Sequence, residues 1–236
     1  MKRILASIAV LLTPLSAIAG DVNVGNLTTQ GEFRALTEDL GALLSYKPLT
    51  PAAPLGITGF DVGLAVTATR IENRGVFAKS GAGDHSTLLV PTLRANKGLP
   101  LDFDIGVLYS AVPGTDIRFW GGELRYALLA GGVATPAVGL RASYTRLSGV
   151  NNLDFDTKGI DLSVSKGFAF FTPYAGIGEV WVTGTPSGNA ALTEESMSLH
   201  KVFVGLNMNF GLVNLALEGD RTGNNNSYSA KVGFRF

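Results

Sequence analysis

The chain has 236 residues, carries 19 Lys and Arg against 19 Asp and Glu, and contains no cysteine. That neutral balance argues against nucleic acid as a partner, and the missing cysteines exclude disulfides and thiolate metal sites. With only two histidines, little is left for imidazole chemistry.

Met1-Lys2-Arg3 is a short cationic start, and Ile4 to Leu15 is an apolar run. Ser16-Ala17-Ile18-Ala19 then supplies small residues two apart, the form of a signal-peptidase site. The run is too short to cross a bilayer as a mature helix. The reading is a cleaved signal over 1–19 with Gly20 as the new N-terminus, an uncleaved anchor being the alternative. Loss of Lys2 and Arg3 tips the balance to two net negative charges. No cysteine follows the cleavage point, so a lipoprotein is excluded.

The segment 20–55 does not alternate. Thr29-Gln30-Gly31-Glu32 fits a capping box, in which hydroxyl and carboxylate satisfy orphan N–H groups at a helix start. Phe33, Leu36, Leu40, Leu43 and Leu44 follow at helical spacing. The proline-rich stretch from Lys47 to Pro54 ends that helix and forms a stiff linker. An amphipathic helix tethered to a barrel can plug its lumen, cap its mouth or lie on the inner leaflet; plug or cap is the expectation.

From Gly56 to the end, ten segments alternate with period two, the signature of strands. The third is clean: Leu101, Phe103, Ile105, Val107 and Tyr109 oppose Asp102, Asp104, Gly106 and Ser110. Pro91 lacks a ladder donor, so pairing around it must be irregular. Over Thr172–Thr183, Glu179 shares parity with Ile177 and Trp181, which predicts a bulge near Gly176 and Gly178. Connections alternate between long (Glu72–Asp84, Leu147–Asp156, Gly184–Glu195, Asp220–Asn226) and short (Asn96–Pro100, Ala130–Ala134, Lys166–Phe171, Asn209–Gly211), with Ala111–Thr115 the exception. Tyr109, Trp120, Tyr144, Trp181 and Tyr228 gather near one end of the strands, and Tyr126, Phe210 and Phe236 near the other. Long outer loops, short inner turns and two aromatic bands describe an all-β, antiparallel up-and-down transmembrane barrel over 56–236. Ten strands are expected, eight and twelve being alternatives, with both termini periplasmic.

The last strand sets Tyr228, Ala230, Val232, Phe234 and Phe236 against Ser227, Ser229, Lys231, Gly233 and Arg235. It resembles the C-terminal strand of bacterial outer-membrane β-barrels, whose final aromatic is read by the barrel-insertion machinery. The resemblance implies that Tyr228, Val232, Phe234 and Phe236 form an insertion signal. It also implies a Gram-negative outer membrane, whose lipid and insertion machinery would be partners. A helix before a barrel is similar in outline to the N-terminal hatch of the long-chain fatty-acid transporter family; that family's barrel is far larger, and no residues carry across.

The inward parity collects Asp61, Arg94, Asp102, Asp104, Glu123, Arg125, Arg141, Asp161, Lys201, Glu218, Lys231 and Arg235. Charges in a narrow barrel are costly unless paired or wet, so balanced signs predict a salt-bridged, mostly closed lumen. Two functions follow: a restricted conduit for a small or amphiphilic solute gated by the helix, or a structural barrel whose loops meet ligands. The alternative is a barrel enzyme. Omptin proteases use clustered Asp with a His–Asp pair at the rim, and lipid-A-modifying barrels use His with Ser and an acid. Here Asp84 adjoins His85, and Glu194, Glu195 and Ser198 lie near His200. Both histidines share parity with lipid-facing sets (Leu89 and Leu93; Val202 and Val204), so no catalytic residue is expected. No cofactor is expected either, and Asp154-Phe155-Asp156 and Gly83-Asp84 match no metal-ligand pattern.

Overall fold

The computed structural model describes residues 23–111 and 116–236. The expected signal over 1–19, residues 20–22, and residues 112–115 of the third connection lie outside the described residues. Each alternating segment is a strand: β1 Phe60–Arg70, β2 Thr87–Gly98, β3 Phe103–Ala111, β4 Arg118–Leu129, β5 Ala137–Ser148, β6 Leu153–Ser165, β7 Phe171–Pro186, β8 Glu195–Phe210, β9 Val213–Thr222 and β10 Asn225–Arg235. Each pairs antiparallel with its sequence neighbours, and β1 closes on β10. Closure leaves no unpaired strand edge, the condition for sheet to survive in hydrocarbon.

Burial is inverted relative to a water-soluble sandwich. Val62, Leu64, Leu93, Ile105, Val107, Leu124, Leu140, Leu162, Ile177, Val204 and Phe234 are exposed on the outside. The opposite parity is buried and polar, as with Asp61, Arg94, Arg125, Arg141 and Lys231. Aromatic rings cluster at both margins of this belt. Trp120 meets Tyr144 edge-on at 5.7 Å near one margin. At the other, Phe60 meets Phe236 at 3.9 Å and Phe103 meets Tyr126 at 4.7 Å.

The barrel has two unlike mouths. At the terminal mouth β1 begins and β10 ends, joined by Phe60 N to Phe236 O at 2.9 Å and the reciprocal bond at 3.1 Å. The loop mouth carries the β1–β2 connection, with the short helix α2 (Arg74–Lys79), and the 187–194 connection. The predicted long hairpin over Asp220–Asn226 is instead tight: only Gly223 and Asn224 separate β9 from β10. Asn225 and Asn226 pair with Thr222 and Arg221, so polar residues taken for loop are strand ends.

Three other expectations change. β7 keeps unbroken register with β6 and β8, so no bulge turns Glu179 inward. Asp102 does not face the lumen; with Leu101 it sits exposed in the turn before β3, both at positive φ (60° and 62°). His85 lies in the loop before β2 rather than on its lipid face. Pro91 pairs with Val66 of β1, but among the described residues the β2–β3 ladder stops at Leu93.

The segment before the barrel is inside it. The helix α1, Gln30–Leu44, starts at a complete Thr29–Glu32 capping box and stops at Ser45. Phe33, Leu36, Leu40, Leu43 and Leu44 are all buried, packed in one cluster with Leu147, Phe155, Val180, Val182 and Leu199 of the wall. Gly41 lets the helix touch that wall: a Cβ there would sit 2.6 Å from Val182 Cγ2. The chain runs from the loop mouth, where Asn23 N donates to Ser80 O at 2.7 Å, down the lumen to β1. The described ends Asn23 and Phe236 therefore lie at opposite mouths, because the N-terminal segment threads the barrel. Only the barrel's own ends share one mouth.

Candidate functional site

Below α1 the lumen is filled by the irregular, proline-rich stretch Ser45–Leu55, and this is where the inward charges converge. Pro48, Pro51 and Pro54 have no N–H, and chain outside helix and sheet has no ladder for its carbonyls; from within the segment Thr50 Oγ1 donates to Pro48 O at 3.3 Å. The wall supplies what the segment lacks. Arg94 Nη2 donates to Pro48 O at 3.3 Å, and Arg125 Nη1 to Pro51 O at 2.6 Å and Thr50 Oγ1 at 2.9 Å. Arg141 Nη2 reaches Thr50 Oγ1 at 3.2 Å, and Lys201 Nζ reaches Tyr46 O at 2.6 Å. The N–H groups are met as closely: Leu49 N donates to Glu218 Oε2 at 2.8 Å, Ala52 N to Ser165 Oγ at 3.1 Å and Leu55 N to Asp104 Oδ1 at 3.0 Å.

Behind these contacts the charges neutralise one another across strands. Arg125 Nε donates to Asp104 Oδ2 at 3.0 Å. Arg141 bridges Glu123 and Asp161, the latter at 3.5 Å, and Lys201 meets Asp161 at 3.3 Å. Lys231 meets Asp61 at 2.6 Å, with Arg235 at 3.7 Å from the same carboxylate. Arg94 lies over the Tyr46 ring, 4.7 Å from its centroid. Glu218 takes a second bond from Tyr174 at 2.8 Å. Tyr174 fits because Gly205 faces it; a Cβ at 205 would lie 2.2 Å from the ring. Of the residues expected in this network, Asp102 alone is elsewhere.

Sequence reasoning missed the network's keystone on the segment itself. Lys47 is buried and donates to Asp220 Oδ2, Ser45 Oγ and Ala42 O, each at 3.0 Å. Its neighbours in sequence have no period, so its direction was not readable. Asp220 is readable: it lies in β9 and continues the inward parity of Ala216 and Glu218. The helix is tied likewise, since Asp39 accepts from Asn225 Nδ2 at 2.6 Å and Asn73 N at 2.9 Å. Glu195, weighed as a partner for His200, instead faces inward and holds Gln30 (2.6 Å) and Arg34 (3.2 Å). The C-terminal set Tyr228, Val232, Phe234 and Phe236 points outward, exposed.

A cavity of about 280 Å³ opens at the terminal mouth, lined by Thr135, Thr172, Asn209 and Arg235 among others, and it ends against Pro51 and Ala53. Among the described residues no group of three His, Asp or Glu side chains is arranged to hold a metal ion.

A closed ten-stranded barrel, apolar outside and polar within, is that of a small outer-membrane β-barrel protein. No family model and no curated protein matches the chain. Among solved structures it is similar to the N-terminal β-barrel domain of Pseudomonas aeruginosa OprF, at 16% identity over 77% of this chain and 99% of that one, with a TM-score of 0.38. It is also similar to the outer-membrane protease OmpT of Escherichia coli (11% identity, 75% and 95% covered, TM-score 0.40). A third likeness is to the translocator domain of the autotransporter NalP from Neisseria meningitidis (10% identity, 94% and 100% covered, TM-score 0.39).

Proposed function

We propose that this chain is a lumen-occluded outer-membrane barrel, a non-conducting scaffold whose N-terminal segment is a built-in plug. The observation that carries the reading is the match between wall and segment: Arg94, Arg125, Arg141, Lys201, Glu218 and Asp104 each bond the backbone or a side chain of residues 46–55. Charges evolved to pass a solute would face water; these face the plug. With the loop mouth outward, the C-terminal end is periplasmic and the start of the described chain is at the outer surface, beside α2. The scaffold then offers that mouth, formed by 71–86, 187–194 and the capped start of α1, to ligands outside.

Planar-bilayer conductance of the refolded protein beside a variant lacking residues 21–54 tests this. Silence from the full chain with conductance from the truncated one is the expected result. Steady conductance from the full chain would overturn the reading.

A further inference from the structure

The terminal mouth holds a cation that the plug does not use. Arg235, at the end of β10, is the cross-strand partner of Asp61 on β1. Both oxygens of that carboxylate are already taken by Lys231 Nζ, at 2.7 and 2.6 Å. Arg235 is left with a 3.7 Å contact to Asp61 Oδ2, and its Nη1 is buried without a hydrogen-bond partner among the described residues. Two cations thus share one carboxylate. A guanidinium presents five donors in a planar fork, and a buried donor left unbonded is costly.

The same side chain lines the cavity of about 280 Å³ that ends against Pro51 and Ala53. Its wall is built to donate. Asn209 Oδ1 is occupied by Asn214 Nδ2 at 2.7 Å, which leaves Asn209 Nδ2 to donate elsewhere. Asn214 is fixed in turn by Asn207 Oδ1 at 3.0 Å, so buried amides set the orientation. Thr135 and Thr172 add hydroxyls. Lys166 pins the β4–β5 turn that forms the rim, donating to Gly132 O at 2.8 Å, Val133 O at 2.6 Å and Thr135 O at 3.2 Å. A second positive charge therefore stands beside the opening. Among the described residues no acidic side chain lines the cavity.

We propose that this cavity binds the C-terminal residue of a peptide, its carboxylate held by Arg235 and its short side chain resting on Pro51, Ala53 and Ala137. The arginine fork matches the two oxygens of a carboxylate. With no acid in the wall, the α-ammonium of a free amino acid would meet only like charge, so the amine must be acylated, as it is within a peptide. A phosphate dianion would bring more charge than one under-neutralised guanidinium balances. The volume lies just below the range of small-molecule pockets, about 300–1,000 Å³, which limits the occupant to a small residue. That the peptide comes from the periplasm rests on the orientation proposed above; the binding does not.

The test uses the refolded full chain in micelles, with the amide resonances of Thr172 and Asn209 as the readout. N-acetyl-alanine, its L and D forms in separate arms, should shift them saturably in at least one arm, and the stronger arm names the chirality. N-acetyl-alanine amide, free alanine and inorganic phosphate should each bind about 10-fold or more weakly. Arg235→Gln should weaken binding of N-acetyl-alanine by about the same factor. If Arg235→Gln does not fold, Gly167→Trp carries the test. Gly167 is exposed in the β6–β7 turn, a Cβ there meets only Thr172 Oγ1 at 3.6 Å, and an indole would fill the cavity from outside. No saturable shift in either arm overturns the proposal. So does phosphate or free alanine binding as tightly as N-acetyl-alanine, or unchanged affinity in a folded variant. None of these readouts depends on conductance, so the occluded-barrel reading stands or falls separately.

Discussion

The upper and lower halves of the plug are one continuous chain held by opposite physics. From Phe33 to Leu44 the segment is helical and meets its own backbone needs, so the wall opposite can be apolar: Leu147, Phe155, Val180, Val182 and Leu199. From Ser45 to Leu55 it is irregular and proline-rich, with Leu49 at a left-handed φ of 53°, so the wall must supply donors and acceptors. The two wall compositions change where the helix ends, within single strands. On β5, Leu147 packs on the apolar cluster while Arg141 bonds Thr50. Thr145, between them, donates to Leu44 O at 3.0 Å, the last carbonyl of the helix. Lumenal charge here follows the secondary structure of the plug.

The contrast predicts unequal responses to substitution, the largest in the lower half. Arg125→Ala removes bonds to Pro51 and Thr50 and strands the buried Asp104 carboxylate. The expected cost is about 3–5 kcal/mol in a urea titration of the micelle-embedded protein. Neutralising both partners of an ordinary buried pair is often harmless. Here Arg125→Met with Asp104→Leu should stay destabilising, since Pro51 O and Leu55 N lose their partners too. A double variant as stable as wild type would show that the pair serves the wall alone. Leu36→Ala in the upper half should cost about 2–5 kcal/mol through the cavity it leaves. Its bilayer conductance should stay silent, because the lower half remains bonded.

Most of the barrel was legible because period two is written into every strand, and so were the helix and its cap, since Thr29, Glu32 and the apolar spacing are local signals. What the sequence could not show was threading. Nothing in residues 45–55 states which surface they meet, because proline-rich irregular chain has no period, so the direction of Lys47 is not readable. Parity also misled at the turns. Asp102 keeps the parity of Asp104, yet a left-handed turn takes it out of the strand. Glu179 failed in the other direction: its outward parity was correct, and the bulge invoked to hide it was not needed. His200 was rightly placed outside, but its partner sits on the next strand, 21 residues away, beyond any local pattern.

The smallest effect expected is at the loop mouth, where the plug begins. Glu32 closes the capping box and also binds Lys79 of α2 at 2.6 Å, so one carboxylate fastens α1 to the β1–β2 loop. The Lys79 ammonium, then the N–H groups of Thr28 and Thr29, hold its carboxyl down from 4.5 to about 2. A carboxyl depressed on folding stabilises fully above its unfolded value and loses that stabilisation as pH falls through the folded one. The gap in melting temperature between wild type and Glu32→Gln should thus be constant above the ordinary carboxylate range and close between about 4.5 and about 2. Because the site is solvated, added salt should shrink that gap at neutral pH. Arg125→Ala, shielded within the lumen, should cost nearly the same at low and high salt. A salt-independent Glu32 gap would mean that the cap is as enclosed as the lower lumen, and the two halves of the plug would no longer differ in kind.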